Sequence, residues 1–336
     1  MAEIGYTMMC EQRSPQDLVN DLIHAERANF DFSVISDHFH PWLEEQGHSG
    51  YAWSILGAAA QATERIPLMT YVTCPLVRYH PAIVAQKAAT MALLSEGRFS
   101  LGLGAGENLS EHIVGRGWPS ADVRHEMFVE AIEIIRTLFD GGYVTYRGEH
   151  FDVEDAKLFD RPEEPPPIGV AVSGRPSCEI AGEQGDFVIA VEPKGELIEM
   201  FHEAGGEGRP GVGQIPVCWG PEEAECRALA HEQFRWAAGG WKVMAELPNP
   251  VNFDAYSQFV REEDIAQMIP CGPEAEGIVQ GVKQFVDAGF DRVALVQVGD
   301  RQKEFCEFYE SELGRGTARS LSSPEPPGKH RPGRWH

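Results

Sequence analysis

"PLMTYVTCPLVRYHPAIVAQKAATMALLSEGRFSLGLGAG", residues 67–106, holds one full turn of the pattern that sets the fold. "PLMTYVT" is short, apolar and rich in strand formers, so it reads as a buried strand. "HPAIVAQKAATMALLSEGR" reads as a helix, with Pro81 near its start and Gly97 near its end. "FSLGLGAG" is a second buried strand. A strand, a crossover helix and a strand make a parallel pair.

The alternation extends in both directions. Upstream, "EIGYTMM" is a strand, and "SPQDLVNDLIHAERAN" a helix that Ser14 can cap, with Leu18, Leu22 and Ile23 on one face. "FSVIS" is the next strand and "YAWSILGAAAQATE" its helix. Downstream, "DVRHEMFVEAIEIIRTLFDGG" is a helix, followed by an irregular segment at 143–167. Then come the strands "PIGVAV", with a helix from Ser177, "DFVIAV", with a helix from Gly195, and "QIPVCW", with the helix "PEEAECRALAHEQFRWA". Residues 239–272 form a second insertion, after which "EAEGIVQGVKQFVDAG", "RVALVQVG" and "QKEFCEFYESEL" close the series.

Eight such units predict a (β/α)8 barrel with insertions after strands 4 and 7. A doubly wound open sheet would usually split a chain of this length into two domains, and no low-complexity linker divides this one. We expect a single barrel domain over 1–314. The Pro-, Ser- and Arg-rich stretch 315–336 has little to bury and is expected to be a disordered tail.

Bulk properties narrow the function. Among 336 residues, 28 Lys and Arg face 52 Asp and Glu, a net charge of −24. Such a surface repels phosphate backbones and anionic lipid, so neither nucleic acid nor membrane is an expected partner. No apolar run reaches the ~18 residues of a spanning helix, and the N-terminus shows no signal-peptide pattern. Seven cysteines, an odd number without a CxxC pair, suggest reduced thiols in the cytoplasm. His40, His48 and His80 show no metal-ligand spacing, so no metal is expected.

In a barrel of this type, the C-terminal ends of the strands face the active site. Glu11 follows the first strand, Asp37 and His38 the second, Thr73 and Cys74 the third, Glu107 the fourth, and Ser173 and Gly174 the fifth. Any one of these has a bland alternative. Asp37 by itself reads as a turn cap, and Trp42 as ordinary core. Their convergence on one mouth points to a site. His38 can exchange a proton near neutral pH, and a neighbouring acid such as Glu11 can hold its tautomer. Trp42 offers an apolar wall. The two glycines before Glu107 let a planar ligand approach the backbone, although the GxGxxG context of a nicotinamide turn is missing. Ser173, Gly174 and Arg175 read either as a phosphate site at a helix start or as a tight turn with a surface Arg.

The stretches "SDHFHPW" (36–42), "TCPLVRYHPAIVAQ" (73–86), "GLGAGENLSEHIVG" (102–115) and "VAVSGRP" (170–176) resemble the luciferase-like barrel family, in particular its branch of coenzyme F420-dependent glucose-6-phosphate dehydrogenases. The resemblance implies hydride transfer between C5 of a deazaflavin and an alcohol or carbonyl of a small-molecule substrate. His38 then matches the catalytic base and Glu11 its supporting carboxyl. Trp42 matches the indole flanking the reacting centre, and Glu107 the acid near the pyrimidine edge. Asp37, Tyr71, Val72, Cys74, Gly106, Glu107, Ser110, Ser173, Gly174 and Arg175 match cofactor-binding positions, with Val72 at a bulge that often carries a non-proline cis peptide. Lys194, with Trp42, falls at the substrate side. The cations a sugar phosphate needs are thin here, since Arg261 is followed by Glu262, Glu263 and Asp264. An FMN-dependent monooxygenase or reductase of the same barrel, and a flavin-binding barrel without turnover, are the alternatives. The family also implies a homodimer, and "YAWSILGAAAQA" suits close helix contact.

Overall fold

Tyr6 of the first strand lies between Ser33 of the second and Leu295 of the last, and both neighbours run parallel to it. In the computed structural model, which describes residues 2–313, this relation repeats until the sheet closes on itself. The strands are β1 (Glu3–Met8), β2 (Phe32–Ile35), β3 (Leu68–Thr70), β4 (Phe99–Leu103), β5 (Ile168–Ala171), β6 (Phe187–Ala190), β7 (Gly211–Trp219) and β8 (Arg292–Gln297). Pairing of β8 with β1 completes the ring. The predicted (β/α)8 barrel is the observed architecture.

The surrounding helices follow from the same signals. Ser14 accepts the Asp17 N–H at 3.2 Å ahead of α1 (Pro15–Arg27). α2 spans Ala52–Ala62. The His80 ring accepts the Ala82 N–H ahead of α3 (Pro81–Leu94). Then come α4 (Ala121–Asp140), α5 (Arg175–Gln184), α6 (Gly195–Phe201), α7 (Glu223–Phe234), α8 (Ala275–Asp287) and α9 (Gln302–Phe308). The first insertion forms an antiparallel hairpin, Val144–Arg147 with Asp152–Ala156. The second holds the short helices Trp241–Met244, Pro250–Ser257 and Glu262–Ala266, and ends in Cys271–Gly272, which pairs with β7.

Alternate residues divide the core, as the two-residue strand period requires. Phe32, Val34, Met69, Phe187, Ile189, Val212 and Ala294 fill the barrel interior, whereas Ile35 and Leu68 pack outward against helices. Gly5 and Gly169 make room for the two interior phenyl rings. A Cβ would stand 2.5 Å from the Phe32 ring at Gly5 and 2.0 Å from the Phe187 ring at Gly169. A third buried cluster joins Trp42 and Leu43 to Trp236, Met244, Phe253, Ile265 and Ile269. It fastens the second insertion onto the loop after β2, over the C-terminal ends of the strands.

Several boundaries differ from the sequence reading. β3 stops at Thr70, the Tyr71–Val72 peptide is cis, and pairing resumes where Thr73 meets Leu103. α5 begins at Arg175 rather than Ser177, because the Ser177 hydroxyl folds back to cap its own first turn. α7 stops at Phe234, and "RWAAG" continues as a tighter turn. The tail expected at 315–336 lies outside the described residues.

Candidate active site

The loop after β2 carries His38 to the mouth of the barrel, and the loops after β1 and β4 each bring it a carboxylate. Nδ1 hydrogen-bonds directly to Glu11 Oε1, and Nε2 stands 3.6 Å from Glu107 Oε2. Glu11 is fully buried. Its second oxygen accepts the Ser36 hydroxyl at 2.7 Å, and Ser36 in turn accepts the Cys10 N–H at 2.9 Å. Neutral imidazole donates from one nitrogen only, whereas imidazolium donates from both. Burial alone would push the His38 pKa down. The negative charge of Glu11 and the ring's hydrogen bonds to the Glu107 and Glu11 carboxylates outweigh it and raise the pKa to about 10. At neutral pH His38 is therefore a half-buried cation held between two acids.

Trp42 closes the site on one side. Its edge meets the His38 ring at 5.0 Å and 84°. Its face stacks on Trp236 at 4.1 Å and 4°, while Phe253 and Trp241 approach its edge. The second insertion thus supplies an aromatic backing. It is also tied to the loop after β4, because the Asn108 N–H donates to the Ala245 carbonyl at 3.0 Å and its side-chain amide to Glu246 O at 2.9 Å.

Asp37 faces away from His38 into a set of donors. Thr73 Oγ1 at 2.7 Å and Trp53 Nε1 at 3.1 Å reach one carboxylate oxygen. Arg78 at 3.1 Å and the Tyr79 hydroxyl at 3.3 Å reach the other. Arg78 also lies 3.3 Å from Glu111, whose second oxygen accepts the Arg78 N–H at 2.8 Å. Burial pulls the Arg78 pKa down, but Asp37 and Glu111 hold it above the ordinary guanidinium range. Lys87 stands behind this group, its ammonium 3.1 Å above the Tyr79 ring and without a hydrogen-bond partner. Burial pushes its pKa down to about 8 against the pull of Asp37.

The remaining positions are distributed as follows. The Tyr71 hydroxyl donates to Ala190 O at 2.9 Å inside the barrel. Val72, Ala171 and Val191 are half-buried over the interior core and form an apolar floor at the mouth. Gly106 has φ +79°, and a Cβ there would lie 2.5 Å from the Cys74 sulfur. Burial pushes the Cys74 thiol well above its usual range. Ser110 Oγ accepts the Phe39 N–H at 3.0 Å, which fixes the loop carrying His38. The Ser173 and Gly174 amides both donate to Ser177 Oγ, at 3.1 and 3.3 Å. Arg175 is exposed and pairs with Glu203 at 3.5 Å. Lys194 is exposed and pairs with Glu192 at 2.8 Å. The structure thus brings Glu11, His38, Trp42 and Glu107 together, sets Asp37 beneath them, and leaves Arg175 and Lys194 on the rim.

Sequence reading missed the Arg78–Glu111 pair, Trp53, and the Trp236–Trp241–Phe253 backing. Arg78 stands inside the quoted 73–86 stretch, where a charged residue amid apolar ones was the available signal. Among the described residues, no three His, Cys, Asp or Glu are arranged to hold a metal ion.

The family description "Luciferase-like monooxygenase" matches residues 3–292. The chain belongs to the luciferase-like monooxygenase family. An F420-dependent glucose-6-phosphate dehydrogenase of Amycolatopsis mediterranei (strain U-32) is 41% identical over 328 residues, 93% of this chain and 98% of that protein. An F420-dependent hydroxymycolic acid dehydrogenase of Mycobacterium tuberculosis is 33% identical over 85% of this chain and 80% of its own length. Among solved structures, an F420-dependent secondary alcohol dehydrogenase in complex with an F420-acetone adduct superposes with a TM-score of 0.86. It is 28% identical and covers 92% of this chain and 97% of its own.

Proposed function

We propose that this member of the family is a coenzyme F420-dependent oxidoreductase moving a hydride between the deazaflavin and an alcohol or carbonyl carbon of a small molecule, with His38 moving the proton. The observation that carries the reading is the His38 ring between Glu11 and Glu107 at the barrel mouth. The apolar floor of Val72, Ala171 and Val191 suits the flat face of a tricyclic ring, with Gly106 and Glu107 at its edge. The exposed Arg175 guanidinium at the start of α5 would meet an anionic tail by leaving its partner Glu203. F420 bound there supplies the carbon that gives or takes the hydride. The chain's own residues do the rest. Protonated His38 donates to the oxygen of a carbonyl as it is reduced. In alcohol oxidation the same ring must first be neutral, and it then takes the hydroxyl proton. Glu11 holds the ring through Nδ1, and Nε2, which faces Glu107 at 3.6 Å, turns its proton to the substrate. Asp37, already bound to four donors, acts in this reading by fixing the loop. His38 backed by Glu11 favours alcohol or carbonyl chemistry over FMN-dependent oxygenation.

The substrate in this reading is uncharged. Lys194 pairs with Glu192, Arg235 with Glu45 and Asp254, and Arg261 with Asp264. Two carboxylates already flank the reacting centre, so a phosphate dianion would meet little compensation. Trp42 and its aromatic backing favour an apolar substituent beside the reacting carbon. We further propose a cytoplasmic homodimer. Support comes from seven free cysteines and from Ile83, Leu93 and Leu94, large apolar side chains exposed on α3. Fluorescence titration with F420 and with FMN tests the cofactor. Tight F420 binding with weak FMN binding is expected; micromolar FMN affinity without an F420 response would overturn it.

A further inference from the structure

Three of the seven cysteines meet behind the aromatic backing. Cys218 lies near the end of β7, and Cys271 is its register partner on the two-residue strand that closes the second insertion. Cys226 lies in the first turn of α7. The three belong to one packed cluster, in which the Cys271 thiol donates to the Ile269 carbonyl at 3.2 Å. The Cys218 N–H donates to Pro270 O at 2.8 Å, which holds the two backbones at strand spacing. Parallel neighbours stand about 4.8 Å apart, and a disulfide accepts Cα separations of about 4.4–6.8 Å. Register partners also place their side chains on the same face of the sheet.

The three thiols are not equivalent. Cys218 and Cys226 are buried; Cys271 is half-exposed and lines a surface cavity with Glu223, Arg227, Gly272 and Glu274. A hydrogen bond from Cys218 brings the Cys271 thiol below its usual range; burial opposes this and the Arg227 charge assists it. Burial pushes Cys10, Cys74, Cys178 and Cys306 the other way. A thiolate with solvent access beside a second thiol is the arrangement that peroxide attacks selectively. The chemistry of the hydride-transfer site uses none of these residues.

We propose that Cys271 and Cys218 form a peroxide-reactive thiol pair. The Cys271 thiolate attacks one oxygen of hydrogen peroxide. The O–O bond breaks, a sulfenic acid forms, and hydroxide leaves to become water. Cys218 sulfur then attacks Cys271 sulfur, the S–S bond forms, and the sulfenic hydroxyl leaves as water with the Cys218 proton. One peroxide is reduced to two waters while two thiols are oxidised to one disulfide. The bond would fasten the end of the second insertion to β7, beside the cluster that contains Trp42 and Trp236.

The test treats the full chain with hydrogen peroxide, alkylates the remaining thiols after unfolding, and maps the peptides. The expected result is the loss of two of seven alkylatable thiols, a mass decrease of roughly 2 Da, and one linked peptide joining Cys218 to Cys271. Cys226→Ser is expected to keep that link. Cys218→Ser is expected to leave a sulfenic acid at Cys271 that dimedone traps. Cys271→Ser is expected to abolish the link with basal hydride transfer unchanged. Seven free thiols after treatment, a link from Cys271 to Cys226, or further oxidation of Cys271 without any link would each overturn the assignment.

Discussion

Arg78 is bonded twice to Asp37, donating to its backbone carbonyl at 2.6 Å and to its carboxylate at 3.1 Å. The pair locks the loop after β2, which carries His38, to the loop that follows the cis peptide after β3. Both side chains are nearly inaccessible. Removing one partner of a buried pair costs about 3–5 kcal/mol, because the other charge is left uncompensated. Asp37→Ala is therefore expected to destabilise by that order, and Asp37→Asn by less. Urea unfolding measures both. A midpoint unchanged in Asp37→Ala would remove Asp37 as the fastener of this loop.

The sign of the His38 shift gives a pH signature. Unfolded histidine titrates near 6.5, and the folded ring at about 10. The stability contributed by the imidazolium is complete below the unfolded value and is lost as pH rises through the folded one. Glu11→Gln removes the main charge that raises the ring, so the stability gap between the two proteins should narrow from pH 6 to pH 10.5. Thermal melts at both values check it, and a constant gap would contradict the charged pair. In catalysis, alcohol oxidation is expected to rise with pH toward 10, and to do so at lower pH in Glu11→Gln.

From the charge compensation on the rim, glucose 6-phosphate is expected to be a poor substrate. We expect its kcat/KM to fall below ~10⁴ M⁻¹s⁻¹, the low end for ordinary enzymes, and an uncharged secondary alcohol to exceed it. Steady-state kinetics with both compounds decides. A sugar phosphate turned over above that value would show that Lys194 or Arg261 leaves its present partner to meet it.

Leu93 and Leu94 are 45% and 42% exposed on α3. In a homodimer that covers them, Leu94→Glu is expected to raise the dimer dissociation constant by at least tenfold. Sedimentation velocity across micromolar concentrations reads this. A wild-type monomer at those concentrations would end the proposal.

The barrel was legible because strand and helix periods are local properties of the chain. "PLMTYVT", "FSLGLGAG" and "RVALVQVG" needed no partner to be read as buried strands, and the parallel order follows from the helices between them. The convergence of Glu11, His38 and Glu107 followed from the same rule, since each stands just past a strand end. What stayed hidden depends on pairing across long separations. Trp42 stacks on Trp236, and nothing near either residue signals the other. The four donors that hold Asp37 come from residues 53, 73, 78 and 79, and no local pattern names them. The Ser173 and Gly174 amides looked free until Ser177 was seen folded back on them. The sequence also shows a positive Lys194 without showing that Glu192 neutralises it.

The proton role of His38 in F420-linked hydride transfer is tested most directly by rapid mixing. Wild-type protein and His38→Ala, each loaded with F420, are mixed with a secondary alcohol, and the loss of the oxidised deazaflavin absorbance is timed. A positioned acid–base group contributes about 10²–10⁴-fold, so the variant is expected to be slower by that factor while its F420 affinity stays within about threefold of wild type. Equal transient rates in the two proteins would contradict the account.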